Sequence, residues 1–169
     1  MAYSQAVYNA SKKFVDQYGL GVGLAIKGTG LFFPAVMAQS AFESGYGSRI
    51  PAGSNNFGGI KYNPNLDGVI GYVISDTSEY VNGVKRPVKK KFSKFKDVAS
   101  GFRAHISVLL LDRYKAARLN ATTPQEQILM IAKAGYTTTP PAEYLRLMKG
   151  IIEAITDYKQ IGRIAWKKI

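Results

Sequence analysis

Apolar and polar residues follow two different periods along the chain. From residue 4 to residue 18 the apolar residues recur at helical spacing, and Gly19 predicts the end of this first helix. The glycine-punctuated residues 19–30 are interpreted as a linker or a short helix. Pro34 suits the first turn of a second helix, which we expect to run through Ser44 with one face turned inward.

The pattern changes between residues 60 and 95, where valines, threonines and tyrosines gather between turn signals. Asn82-Gly83 is the strongest of these signals, because Asn-Gly is favoured in the tight turns of β-hairpins. We therefore expect a small β lobe of two or three strands over about residues 60–95. Helices are predicted again over residues 97–111, 124–134 and 141–158, each opened by an Asp, Thr or Pro signal. These elements predict an α+β fold that is mainly α-helical with a small β-hairpin lobe.

Length and composition narrow the class of protein. The 169 residues suit a single domain spanning residues 1–169, and 46% hydrophobic with 20% charged residues is typical of a globular chain. No stretch approaches the ~18 uninterrupted apolar residues of a membrane span, and the N-terminal helix lacks the apolar core of a signal peptide. There is no cysteine and one histidine, His105, so we expect no disulfide, no metal and no organic cofactor.

The formal charge of +12 predicts attraction to polyanions. Two interpretations of its densest part stay open: a solvated basic hairpin without a partner, or a surface that binds anionic cell-surface polymers. Nucleic acid is not expected, because no helix-turn-helix, RNP-type or zinc pattern accompanies the charge. Seven of the 23 Lys and Arg residues form this run, namely Lys85, Arg86, Lys89, Lys90, Lys91, Lys94 and Lys96.

Glu43 is the candidate for acid chemistry. It is the one acidic residue between Asp16 and Asp67, at the end of an apolar helical run. Apolar surroundings raise a carboxyl pKa, which is what a general acid working near neutral pH needs. Glycines on both sides of Tyr46 leave space beside the acid for a bulky ligand. The alternative is an ordinary surface carboxylate, although a negative charge at a helix C-terminus is unfavourable to the helix dipole.

Three motifs in order resemble the glucosaminidase family of bacterial cell-wall hydrolases (glycoside hydrolase family 73). They are AQSAFESGYG, which contains Glu43, the segment NNFGGIK, and GYTTTP followed by Tyr144. The resemblance implies a lysozyme-like fold and Glu43 as the acid that protonates the leaving glycosidic oxygen. This chain departs from the family pattern at three places: Phe57 replaces the usual Leu, Gly58 the usual Phe, and Thr139 the usual Asp.

The family resemblance also implies a second carboxylate in the β lobe. Glu79 matches the acid of a T-x-E-Y-x-N-G hairpin, with Asp76 as the alternative and Asp67 as a weaker candidate. Such a group would activate water or stabilise the oxocarbenium ion. The competing interpretation of Glu79 is a cross-strand ion pair with a lysine of the following basic strand.

Tyrosines and asparagines complete the predicted site. Tyr136 maps onto the family's cleft tyrosine and is expected near the reacting sugar, although packing alone would also explain a tyrosine there. His105 is expected to be a partly buried structural residue. The residues predicted to bind the glycan are Tyr46, Asn55, Asn56, Phe57, Lys61 and Tyr144.

The resemblance implies a monomeric peptidoglycan hydrolase that cleaves β-1,4 glycosidic bonds of the glycan strand, as an endo-β-N-acetylglucosaminidase. The alternatives are a muramidase or lytic transglycosylase on the same fold, or a non-catalytic wall-binding or tail module. We expect action at the bacterial cell wall. Without a signal peptide, the chain is expected to be released by lysis, carried on a phage virion, or exported by another route.

Overall fold

The computed structural model describes residues 3–158. Over this range six α-helices and one antiparallel hairpin follow one another in the order α1 Gln5–Ala25, α2 Phe33–Ser44, β1 Val69–Val81, β2 Val84–Phe95, α3 Val98–Leu109, α4 Lys115–Asn120, α5 Pro124–Lys133 and α6 Pro141–Asp157. A single 3₁₀ turn, Asp112–Tyr114, joins α3 to α4. The predicted α+β class, mainly helical with a β-hairpin lobe, is confirmed. None of the helices in residues 3–158 is long and apolar enough to cross a membrane.

Helix α2 is the central element of the core. Ten of its 12 residues are buried, because α1, α5 and α6 pack around it. Pro34 lies in its first turn, and Gly45 ends it in the left-handed conformation at φ 54°. A left-handed residue after a helix is most easily supplied by glycine. The predicted start and end of this helix are confirmed, and its burial places its C-terminal glutamate against the interior.

Helix α1 is longer than predicted. It continues through Gly19 to Ala25, so the predicted stop at Gly19 is wrong. Of the two interpretations of residues 19–30, the helical one holds for residues 19–25, which continue α1 rather than form a separate short helix. Gly19 is buried, and a Cβ atom there would lie 3.1 Å from the Phe33 ring. The glycine therefore allows α1 to pack closely against the start of α2. Its packing value outweighs its low helix propensity.

The hairpin is a two-stranded ladder that pairs Val69 with Phe95 at one end and Val81 with Val84 at the other. Asn82 and Gly83 form its turn with positive φ angles of 51° and 76°, as the Asn-Gly signal predicts. The first strand begins at Val69, later than the predicted lobe. Residues 60–68 instead form a connecting loop. Successive residues of β1 alternate between a partly buried and an exposed face, as expected for a strand with one face packed against the helices.

The helices after the hairpin are partly as predicted. Helix α3 begins after Asp97, whose side chain accepts a hydrogen bond from the Ser100 backbone N–H, and it ends at Leu109 rather than at residue 111. The turn Asp112–Tyr114 and helix α4 were not predicted. Tyr114 is buried at 1% exposure and anchors this turn in the core.

Candidate active site

A cleft of about 770 Å³ lies between the hairpin and the helices. Five segments of the chain contribute to it: the end of α2, the loop before β1, the two strands, the region from α3 to the Asp112–Tyr114 turn, and the loop before α6. Its lining residues are Glu43, Gly58, Gly59, Ile60, Lys61, Asn63, Leu66, Thr77, Ser78, Glu79, Phe92, Ser107, Val108, Leu111, Arg113, Tyr114, Gly135, Tyr136, Thr137 and Thr138.

Glu43 lies in the cleft one residue before the end of α2. Its Oε1 accepts a hydrogen bond of 2.9 Å from the Tyr144 hydroxyl, which in turn accepts one of 3.3 Å from Gln39 Nε2. Burial raises the pKa of the Glu43 carboxyl, and this effect is larger than the opposing effects of the Tyr144 hydrogen bond and the Arg49 charge. The core therefore orients the side chain, and burial holds the pKa of Glu43 above that of an exposed glutamate.

The floor of the cleft is backbone. A Cβ atom at Gly59 would lie 3.3 Å from Glu43 Oε2, and Gly59 itself has a φ of 60°. A Cβ atom at Gly58 would lie 2.7 Å from the His105 ring. Both glycines are thus needed where the loop passes between the catalytic candidate and α3. The Phe-to-Gly departure at position 58 is explained by the space that His105 takes here.

Tyr136 lies on the wall beside Glu43. Its hydroxyl donates a hydrogen bond of 3.0 Å to the Gly58 carbonyl, so the hydroxyl is already engaged with the floor of the cleft that the residue lines. Burial raises the pKa of Tyr136 well above its ordinary value, and the charge of Glu43 raises it further. The phenol is therefore neutral, and it supports both the floor and the acid.

Glu79 is the second carboxylate that lines the cleft. It lies on the same face of β1 as Thr77, with 18% of its side chain exposed. Lys61 Nζ binds its Oε1, and Lys90 Nζ lies 3.5 Å from its Oε2. These contacts hold the pKa of Glu79 below its usual range, with the Lys61 hydrogen bond as the largest cause. The cross-strand ion pair and the cleft position, which the sequence left as alternatives, occur together.

The other two acids lie elsewhere. Asp76 is exposed on the opposite face of β1, opposite Lys89 in the ladder. Asp67 is 81% exposed and lies 3.8 Å from Arg103. Neither lines the cleft. Its position in the cleft therefore favours Glu79 over Asp76 and Asp67 as the partner of Glu43.

Two of the predicted glycan-binding residues act behind the cleft rather than in it. Tyr144 is 1% exposed and reaches the site only through Glu43. Tyr46 has a φ of 56°, packs its ring against Phe14 at 6.0 Å, and places its hydroxyl 3.4 Å from Ser11 Oγ. The structure therefore gives Tyr144 a positioning contact and directs Tyr46 toward α1, because the left-handed turn after Gly45 swings it away from the acid.

The Asn55-Asn56-Phe57 segment is also structural. Asn55 donates a hydrogen bond of 3.0 Å to the Phe95 carbonyl. Asn56 is 3% exposed, donates to the Ile60 and Ser93 carbonyls and accepts from the Ile60 N–H. Phe57 is 2% exposed and stacks on Phe102 at 4.6 Å. These contacts join the loop to β2 and α3, which argues against direct binding of glycan; of the predicted binding residues, Lys61 lines the cleft.

His105 is fully buried, deeper than expected. Its Nδ1 lies 2.9 Å from Ser40 Oγ, whereas Nε2 has no hydrogen-bond partner among the described residues. Burial lowers the pKa of His105 to about 4. The ring is therefore neutral at physiological pH and fills the space between α2 and the floor of the cleft. Residues 3–158 contain no group of three or more His, Cys, Asp or Glu residues placed to hold a metal ion.

One wall of the cleft was missed by the sequence analysis. It runs from Ser107 in α3 to Tyr114 and includes the exposed side chain of Arg113. The short pattern Asp112-Arg113-Tyr114 carries no motif, and the turn in which it lies was not predicted. Tyr114 is the one signal in this stretch, because a large aromatic side chain among charged residues tends to pack against a core.

The sequence and the fold have known counterparts. The peptidoglycan hydrolase FlgJ of Escherichia coli (strain K12) is 28% identical over 156 residues, which is 89% of this chain and 49% of that protein. The chain thus spans about half the length of the curated relatives it matches. The glycoside hydrolase domain of Salmonella typhimurium FlgJ, in a C-terminally truncated form, is 27% identical with a TM-score of 0.64, covering 92% of this chain and 99% of that one.

A peptidoglycan hydrolase mutant from Sphingomonas sp. A1 shares the fold, with a TM-score of 0.72 at 22% identity over 90% of this chain and 96% of that one. The family model named Glucosaminidase, described as mannosyl-glycoprotein endo-beta-N-acetylglucosaminidase, matches residues 25–157. This range contains α2, the hairpin and every segment that lines the cleft. The chain belongs to the glucosaminidase family.

Proposed function

We propose that this chain is a peptidoglycan hydrolase that cleaves the β-1,4 bond following N-acetylglucosamine, with Glu43 as the general acid. The observation that carries the proposal is the pairing of two cleft carboxylates in opposite electrostatic surroundings. Burial raises the pKa of Glu43, while Lys61 and Lys90 lower that of Glu79. Two acids whose environments separate their pKa values are suited to the acid and base roles of glycoside hydrolysis. The names of the FlgJ relatives support the same substrate.

The proposed reaction uses each group in its favoured protonation state. Protonated Glu43 gives its proton to the glycosidic oxygen as the bond from that oxygen to the anomeric carbon breaks. The positive charge that develops on the sugar is stabilised by ionised Glu79. A water oxygen then adds to the anomeric carbon, and a carboxylate takes the proton released by the water. The products are two glycan fragments, one of which has a new reducing end.

The surrounding residues keep these groups in place. Tyr144 orients Glu43 through its 2.9 Å hydrogen bond, and Lys61 keeps Glu79 charged. Tyr136 lines the cleft, where an aromatic face is suited to stack on a sugar. Lys85–Lys96 lie on the hairpin that forms the opposite wall, where they would attract the anionic polymers of a bacterial cell wall.

The deciding experiment compares the parent chain with Glu43→Gln on purified peptidoglycan. Glutamine keeps the shape of the side chain but has no proton to donate, so we expect a loss of about 10²–10⁴-fold in rate with an unchanged circular dichroism spectrum. Mass spectrometry of the parent's products should show N-acetylglucosamine at the new reducing ends.

Other products would contradict specific parts of the proposal. Muramic acid at the reducing end would identify a muramidase, and an anhydro sugar would identify a lytic transglycosylase. An equal rate for Glu43→Gln would remove Glu43 as the acid. No product from the correctly folded parent would favour a non-catalytic wall-binding module.

A further inference from the structure

Four charged side chains line the cleft, and the reaction accounts for three of them. Glu43 and Glu79 are the proposed acid and base, and Lys61 pairs with Glu79. The fourth is Arg113, which is exposed and forms no ion pair with any carboxylate of residues 3–158. An arginine that lines a cleft without a carboxylate partner has N–H donors available for a ligand.

The Arg113 guanidinium is held in place by an aromatic platform. Its Cζ lies 4.8 Å from the centroid of the Tyr114 ring, within the range of a cation–π contact. The Tyr114 ring is 1% exposed and lies 6.1 Å from the Tyr136 ring, so the platform is fixed in the core and continuous with the wall beside Glu43. The Arg113 guanidinium therefore lies in the same cleft as Glu43, on the wall that continues from Tyr136.

The neighbouring wall is apolar. Val108 and Leu111 line the cleft next to Arg113, and Leu111 is 47% exposed. A planar guanidinium with five N–H donors matches the geometry of a carboxylate better than a lysine ammonium does. Together these side chains suit a ligand that carries a carboxylate beside a small alkyl group, rather than a neutral sugar.

We propose that Arg113 forms a subsite for a carboxylate carried by the substituents of the glycan strand. Peptidoglycan supplies this chemistry from two sources: the lactyl carboxylate of a peptide-free muramic acid, and the carboxylates of an attached stem peptide. The subsite makes the cleft prefer substituted glycan over a neutral polymer of N-acetylglucosamine. This inference rests on the proposed function, since it names a further contact of the same substrate.

The test measures binding of three soluble probes to the Glu43→Gln chain, which does not consume them. The probes are a neutral N-acetylglucosamine oligomer, a glycan of equal length with free lactyl carboxylates, and the same glycan bearing stem peptides. Adding Arg113→Gln should weaken at least one acidic probe roughly three- to tenfold, and leave the neutral probe unchanged. The probe that loses affinity identifies the source of the carboxylate.

Two further variants serve as controls. Arg103→Gln removes the same charge from α3 outside the cleft and should leave all three affinities unchanged. Arg113→Lys keeps the positive charge but loses the planar pair of N–H donors, and should retain part of the preference for the acidic probe.

Unchanged affinities for both acidic probes, or an equal loss on all three probes, would overturn the subsite and leave the proposed function intact. Failure of the Glu43→Gln chain, with Arg113 intact, to bind any probe would instead remove the proposed function and the subsite together.

Discussion

The two walls of the cleft are built in opposite ways. On the helical wall, Glu43 extends from a helix with ten of 12 residues buried, and its partner Tyr144 is itself buried. On the hairpin wall, Glu79 extends from a two-stranded ladder whose outer face is exposed, and its partners are the lysines at positions 61 and 90. Burial raises the pKa of the first acid, and cations lower that of the second.

This difference explains why the cleft lies between two unlike lobes. Exclusion of water raises the pKa of a carboxyl group, and a packed core provides that exclusion around Glu43. A carboxylate stays ionised if cations lie beside it, which a solvated hairpin provides without a core. An acid limb set by Glu79 and an alkaline limb set by Glu43 should therefore give a bell-shaped pH profile.

The largest expected effect in this comparison concerns the hairpin acid. Glu79→Gln should lower kcat/KM by up to about 10²-fold, because the amide carries no charge to stabilise the oxocarbenium ion or to activate water. Asp76→Asn, three residues earlier on the exposed face of the same strand, is the matched control and should stay within about twofold of the parent. The measurement is the rate of cell-wall turnover by the two variants and the parent. A large loss confined to Asp76→Asn would move the second carboxylate to that position.

A smaller effect is expected from the partner of the buried acid. Tyr144→Phe removes the hydrogen bond that stabilises ionised Glu43, so the pKa of Glu43 should rise further. Since the protonated acid is the active form, the alkaline limb of the kcat/KM profile should move to higher pH. The unpaired Glu43 and Gln39 atoms should also lower the free energy of unfolding by about 1–2 kcal/mol.

Tyr114→Phe is the control for Tyr144→Phe. The Tyr114 hydroxyl is buried without a hydrogen-bond partner among the described residues, so its removal should leave the pH profile unchanged and should not lower the free energy of unfolding. An alkaline limb that stays in place or moves to lower pH in Tyr144→Phe would show that this tyrosine does not tune Glu43.

The smallest effect concerns the outer face of the hairpin. Lys89 and Lys91 are exposed there, opposite Asp76 and Ile74, whereas Lys90 is directed to Glu79. Lys89→Gln with Lys91→Gln should weaken binding to intact cell walls roughly two- to fivefold and reduce its salt dependence. Turnover of a short neutral glycan should not change.

Lys90→Gln removes one positive charge from the cleft-facing side of β2, beside Glu79, and is compared with the double variant. It should raise the pKa of Glu79 and move the acid limb of the profile to higher pH. Loss of the neutral substrate's turnover in the double variant would mean that the outer face shapes the cleft, and the electrostatic interpretation would then be abandoned.

The sequence predicted those parts of the molecule that depend on local signals. Pro34 marks the start of α2, and the Ser-Gly pair after Glu43 marks its end. Asn82-Gly83 marks the hairpin turn that brings Glu79 to the cleft. The misses depend on contacts between distant segments. Phe57 stacks in the core because α3 supplies Phe102, and the wall at Arg113 exists because Tyr114 reaches the core. No local pattern distinguishes a side chain directed inward from one directed at a ligand.

The bare backbone at Gly58 and Gly59 has a consequence for engineering this protein. A substitution at either position would meet the His105 ring or the Glu43 carboxyl before it met a bound sugar. Substitutions in the floor of the cleft are therefore unsuited to altering the substrate range, because they would also displace His105 or Glu43. Directed evolution for new glycans should sample the two side walls, where Thr77, Ser78, Ser107, Val108 and Leu111 line the cleft.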